Sequence, residues 1–214
     1  MTICQLLPTA GLTLAAVAGS IAFAAQSQDT AKPAQQPPAM QLPPGWTQAD
    51  VEACMLAGTP GEMHQALARD AGTWHGKNTM WMAPGAEPMT CESTTTITPI
   101  MDGRYVRAEM KGEMPGMGMY EGFGLYGYDN VSGRFVATMI DNMSTGLATG
   151  TGERSADGKT MTWTYTYNCP ITKKPTTLRE VQTTTGPNAK RLEMWGTDPR
   201  SGKEYKMMVI ELTR

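Results

Sequence analysis

The sequence predicts a mainly β protein, an antiparallel up-and-down β-barrel of about ten strands preceded by one or two short helices. Three features of the chain point that way. From Gly72 onward apolar and polar residues alternate with a period of two, as strands do when only one face is buried. Tight-turn residues separate the alternating runs, and no run with helical period comes between them. Strands joined by such short connections lie side by side as a meander, and closing the sheet removes its unpaired edges.

The clearest strand is "KTMTWTYTYN", where Met161, Trp163, Tyr165 and Tyr167 fall on one face and Thr160, Thr162, Thr164 and Thr166 on the other. Similar segments lie near 73–82, 90–100, 104–112, 119–128, 134–143, 146–154, 177–185, 190–196 and 204–213. Pro84-Gly85, Asp102-Gly103, Asn130 with Gly133, Asp157-Gly158, Pro187-Asn188, and Pro199 with Gly202 supply turns between them. The barrel is expected over residues 72–214.

Residues 46–71 read as short helices. Thr47 stands three residues before Asp50, and Thr59 with Pro60 stands three before Glu62, each pair a capping hydroxyl ahead of a carboxylate. Met63, Ala66 and Leu67 give the second helix an apolar stripe, and Gly72 stops it. Residues 25–45 are rich in Pro, Gln and Ala and read as a disordered tether. Residues 1–24 read as a signal peptide, since 3–25 carry no charge and the apolar run from Leu12 ends in the small-x-small Ala22-Phe23-Ala24. An uncleaved anchor is the other reading, and Pro8, Gly11 and Gly19 interrupt the segment against it. The expected location is periplasmic or secreted.

The 18 Lys and Arg are scattered and the net charge is −2, so nucleic acid is not an expected partner. Cleavage near Ala24 leaves Cys54, Cys91 and Cys169 in a compartment that permits a disulfide. Cys91 with Cys169 is favoured because both lie in the strand-rich part. No C-x-x-C spacing occurs and His64 and His75 are the only histidines, so a Cys/His metal site is a poor reading.

The stretches "LARDAGTWHGKNTMWMAPGAEPM", "MDGRYVRAEMKGEMPGMGMYEGFGLYGYDNVSGRFVATMIDNMSTG" and "EMWGTDPRSGKEYKMMVIELTR" resemble the bacterial family labelled domain of unknown function 1579, over roughly residues 62–214. The resemblance implies a lipocalin-like barrel and no established activity. Gly72-Thr73-Trp74-His75-Gly76 is also similar to the first strand of nitrobindin and other calycin-type barrels, of which nitrobindin-like proteins hold haem through a histidine near the C-terminus. No histidine follows His75 here. No cofactor is expected, and His75 reads as a strand residue facing solvent or bonding a neighbour.

Acid-base catalysis needs titratable groups that converge, and the candidates are Asp141, Glu109, Glu113 and Glu121. Asp141 has the parity of Phe135, Ala137 and Met139, so a regular strand would turn it inward; a strand ending at Asn142 would leave it bonding local backbone. Ser144 and Thr145 stand near it without a nucleophile elbow or a following histidine. The chain has no P-loop, dinucleotide fingerprint or His-Glu-x-x-His helix. A binding module for a small apolar or mixed ligand is therefore the leading expectation, with Trp74, Trp81, Trp163, Trp195 and Tyr165 as walls, and with a monomer or weak dimer. A filled barrel acting through its surface is the alternative.

Methionine is the chain's most unusual residue, with 18 in all. In "EMKGEMPGMGMYEGFG" Met110 shares a face with Val106 and Ala108, whereas Met114, Met117 and Met119 are assigned to a loop around Pro115-Gly116 and Gly118. Their thioethers could meet on Cu(I), or form a flexible apolar lip over the barrel mouth. The lip is the favoured reading.

Overall fold

A computed structural model describes residues 42–214. The signal peptide expected over 1–24 and the tether as far as residue 41 lie outside the described residues. Ten strands follow two helices: β1 (Gly72–Met80), β2 (Met89–Ile100), β3 (Tyr105–Met114), β4 (Gly118–Asp129), β5 (Arg134–Asp141), β6 (Ala148–Arg154), β7 (Thr160–Asn168), β8 (Pro175–Gly186), β9 (Ala189–Thr197) and β10 (Glu204–Thr213). Each pairs antiparallel with its neighbours in sequence, and β1 pairs with β10 to close the barrel. The up-and-down barrel expected from alternation is the observed fold.

Helix α1 (Gln48–Ala57) starts as its sequence dictates. Thr47 Oγ1 accepts from the Asp50 N–H while an Asp50 oxygen accepts from the Thr47 N–H, and this holds the Asp50 carboxyl below its ordinary range. Helix α2 (Glu62–Ala68) departs from expectation. Its cap is Gly61, whose N–H donates to His64 Nδ1 at 3.0 Å, because Thr59 instead turns its hydroxyl back onto the Met55 carbonyl of α1.

The meander places the turns at 101–104, 130–133, 155–159 and 187–188 at one end, where the helices also lie. Arg104 Nε donates to the Gly58 carbonyl at 2.9 Å, and Asn130 Nδ2 donates to the Leu56, Ala57 and Thr59 carbonyls. These bonds hold the helices over the β2–β3 and β4–β5 turns. Among the described residues the β6–β7 and β8–β9 turns of the same end receive no hydrogen bond from the helices.

The interior is uneven. Phe135, Ala137, Trp163 and Tyr165 form a buried cluster from β5 and β7, and Met63 and Leu67 of α2 pack on it. Tyr126 meets Trp163 edge to face at a 5.1 Å centroid separation, and Tyr128 meets Phe135 at 5.0 Å. Room for these rings comes from β6: a Cβ at Gly152 would stand 2.7 Å from the Trp163 ring, and one at Gly150 2.6 Å from the Tyr165 ring. "ATGTG" is therefore a seat for two aromatics cut into the neighbouring strand.

Cys91 and Cys169 do not form the expected disulfide; both are free thiols. β2 and β7 lie on opposite sides of a ten-strand ring, and Cys91 faces the interior beside Asn78. Strand content alone carries no information about which strands face each other across the barrel.

Candidate functional site

The barrel encloses a cavity of about 480 Å³ lined mainly by β8–β10 and β1–β3, with Tyr120 and Tyr126 of β4, Met139 of β5, Arg154 of β6 and Met161 and Trp163 of β7 on its other side. Its lining is dominated by alternate residues of successive strands. Val106, Ala108, Met110, Gly112 and Met114 line it from β3, for instance, while Glu109 and Glu113 between them are exposed. Met80, Met139, Met161, Met194 and Met208 complete an unusually sulfur-rich wall. Methionine is unbranched and polarizable, so such a wall can adapt to the shape of what it holds.

One carboxyl without an ion-pair partner among the described residues stands inside. Glu180 of β8 is 6% exposed, lines the cavity, and pairs in register with Trp163 and Met194. It forms no hydrogen bond or ion pair among the described residues, and burial pushes its carboxyl up to about 7. Tyr120 and Tyr126 also line the cavity. Burial first, and then the charges of Asp141 and Glu180, push the Tyr120 phenol up to about 12; burial and Glu180 push Tyr126 higher still. The neighbouring Tyr165 hydroxyl is buried without a well-formed hydrogen bond, although it is close enough to the Tyr126 hydroxyl for the two to affect each other's titration. The site thus holds neutral phenols and a carboxyl that burial biases toward its protonated form, with hydrogen-bonding capacity to spare.

Of the exposed lining residues, Arg69, Lys159, Thr184, Pro187 and Arg214 gather at the helix end, near α2 and the β6–β7 and β8–β9 turns, while Lys111 stands toward the other end. One edge of this mouth is cross-braced by polar contacts. Trp74, 2% exposed, donates from Nε1 to the Asp70 carbonyl at 2.9 Å, and Arg214 lies over its ring at 4.5 Å. Lys190, also over that ring, forms an ion pair with the Asp70 carboxylate.

The residues anticipated from sequence are distributed as follows. Trp74 and Trp163 line the cavity, while Tyr165 is completely buried in the cluster beside it. Trp81, one residue beyond inward-facing Met80, does not line it, and Trp195 faces outward under Arg179, 4.1 Å from its ring centre. The expected loop of Met114, Met117 and Met119 is shorter, because β3 runs to Met114 and β4 begins at Gly118. Met114 lines the cavity, whereas Met117 and Met119 are 43% and 56% exposed; Met119 lies opposite outward-facing Glu113. The three thioethers therefore do not converge, and their hairpin lies at the opposite end of the barrel from the mouth. His75 is exposed on β1.

Asp141 ends β5, and its Oδ1 accepts from the Met143 N–H at 2.9 Å. It bonds the local turn, as the shorter-strand reading expects. Glu180 was the carboxylate to find: it shares the parity of Leu178, but Gln182 and Thr184 on that face hide the signal.

Comparison with known proteins agrees with this architecture. The crystal structure of Rv2717c from M. tuberculosis is similar with a TM-score of 0.57 and 12% identity, covering 73% of this chain and 99% of that one. The S-type phycobiliprotein lyase CPES from Guillardia theta is similar with a TM-score of 0.51 and 11% identity, covering 75% and 96%. At these identities the likeness is one of fold. No curated protein matches in sequence. A family model described as "Protein of unknown function (DUF1579)" matches residues 59–214, and the chain belongs to that family.

Proposed function

We propose that this protein is an exported binding module that carries one small, largely apolar ligand bearing a polar group. The observation that carries the reading is the cavity of about 480 Å³, whose methionine and aromatic walls surround a single unpaired carboxyl, Glu180. Ligand sites of this kind are concave, mostly apolar and fixed by few polar groups, and the volume falls within their ordinary range. A buried carboxyl without a protein partner costs stability, and a ligand group that hydrogen-bonds it would recover part of that cost. An interior with this much space favours a carrier over a filled barrel acting through its surface. Asp141, tied to its own turn, gives an enzymatic reading little support.

Native mass spectrometry of protein purified from its own host tests the reading. The expected result is a mass without the leader and with a discrete adduct, which diminishes when Met208→Trp fills the cavity. A clean apo mass, together with no uptake of apolar probes by the intact chain, would overturn it.

A further inference from the structure

The mouth differs in charge from the chamber behind it. Arg69, Arg154, Lys159, Lys190 and Arg214 line the cavity at the helix end, and Asp70 is the only acidic lining residue there. Lys190 is neutralised by Asp70, and Arg214 is committed to Trp74 and to the Ala71 carbonyl, to which Nη1 donates at 2.9 Å. Arg69, Arg154 and Lys159 form no ion pair among the described residues.

Arg154 is the best placed of the three. It is half-buried at the end of β6, and its guanidinium folds over the β6–β7 turn so closely that a Cβ at Gly158 would stand 2.3 Å from Nη2. Gly158 also has a φ of +69°, so the turn both requires glycine and leaves the space that the guanidinium fills. Asp157, in the same turn, accepts from the Ser155 hydroxyl and the Lys159 N–H, and these bonds, with a smaller effect of the Lys159 charge, hold its carboxyl below the ordinary range. An unpaired guanidinium at a cavity rim is a ready partner for carboxylate or phosphate, which it can meet with two parallel hydrogen bonds.

The chamber has the opposite preference. Beyond the rim the one further cation among the described lining residues, Lys111, is paired with Glu121, and burial biases the Glu180 carboxyl toward its protonated form. A negative group would be costly at the depth of Glu180 and favoured at Arg154.

We propose that the ligand is an amphiphilic anion, seated with its carboxylate or phosphate head at Arg154, Lys159 and Arg69 and its apolar body along the methionine wall. This rests on the ligand-carrying reading above and adds to it a chemical class and an orientation.

The test uses three probes with one ten-carbon chain, decanoate, decanol and decylamine, titrated calorimetrically into the delipidated full chain at low salt. Decanoate is expected to bind about tenfold more tightly than decanol, as for one charge-assisted contact at a partly exposed site. The margin should shrink as salt rises. It should fall in Arg154→Gln and, separately, in Lys159→Gln, each losing more decanoate binding than decanol binding. Equal binding of all three probes would overturn the anionic head while leaving ligand carriage intact. Preference for decylamine would overturn it in favour of an ammonium at Glu180. Binding of none would overturn both readings.

Discussion

The two halves of this barrel have the same alternation and opposite interiors. Around β4–β7, rings from adjacent strands meet edge to face, glycines in β6 give them room, and α2 adds Met63 and Leu67 from below. Around β8–β10 and β1–β3, inward residues are methionines, small residues and a carboxyl, and space remains. The difference lies in side-chain volume and in what covers the end. Arg104 and Asn130 hold the helices over the β2–β3 and β4–β5 turns, while the β6–β7 and β8–β9 turns receive no hydrogen bond from the helices among the described residues. The packed cluster and the cavity meet at Tyr126 and Trp163, which belong to one and line the other.

Truncation should separate them. Trp163→Ala removes the ring at the centre of the cluster and should cost about 4 kcal/mol, as large-to-small changes in packed cores do. Met110→Ala, on the cavity wall, should cost about 1 kcal/mol, because the space beside it already exists and only the transfer contribution is lost. Urea denaturation of both variants checks this. Equal losses would mean that the cavity half is packed as tightly as the other.

The second distinction is electrostatic. Glu180 keeps its proton in the folded state up to about pH 7, whereas in the unfolded chain it gives it up near 4.5. Between those values the folded protein binds more protons than the unfolded, so its stability falls as pH rises through that window and levels off above it. Over 2.5 pH units the loss approaches on the order of 3 kcal/mol. Glu180→Gln should abolish this fall and leave the protein more stable than the parent at pH 8. The ion-paired carboxylates act in the other direction and at lower pH. Glu204, held down by Arg179, and Glu193, held down by Lys206, contribute above their unfolded values and lose that contribution on acidification. Denaturant midpoints between pH 4 and 8 read both effects. A parent with no slope between 5 and 7 would mean that Glu180 is not desolvated.

The smallest effect concerns the methionines. Met119→Leu and Met117→Leu lie on exposed surface and should change stability and ligand uptake by less than about 0.5 kcal/mol. Met110→Leu and Met194→Leu lie on the cavity wall and should alter uptake while nearly preserving stability, because volume is kept and flexibility is not. Ligand competition on the four variants orders them.

Most of the fold was legible because its signals are local. Period-two alternation and turn residues place all ten strands to within about two residues, and strands joined by tight turns have little freedom but to lie beside one another. The Thr47–Asp50 cap was legible for the same reason. What failed were inferences that carried a local rule past the end of its element. Asp141 follows strand parity to the last residue of β5 and then serves the turn. Met114 and Met119 belong to strands that continue through what reads as a loop.

By itself, then, the sequence determined the class, the strand order, the apolar face of each strand and the family, all of which depend on neighbours in the chain. Only the tertiary structure decided which half is filled, which end opens, that Cys91 and Cys169 stand apart, and that Glu180 faces Tyr120, Tyr126 and Trp163 in one chamber with Arg154 at its rim. The physical reason is closure. β1 pairs with β10 and sets the curvature, and side chains from strands far apart in sequence then share a volume whose contents no single strand specifies.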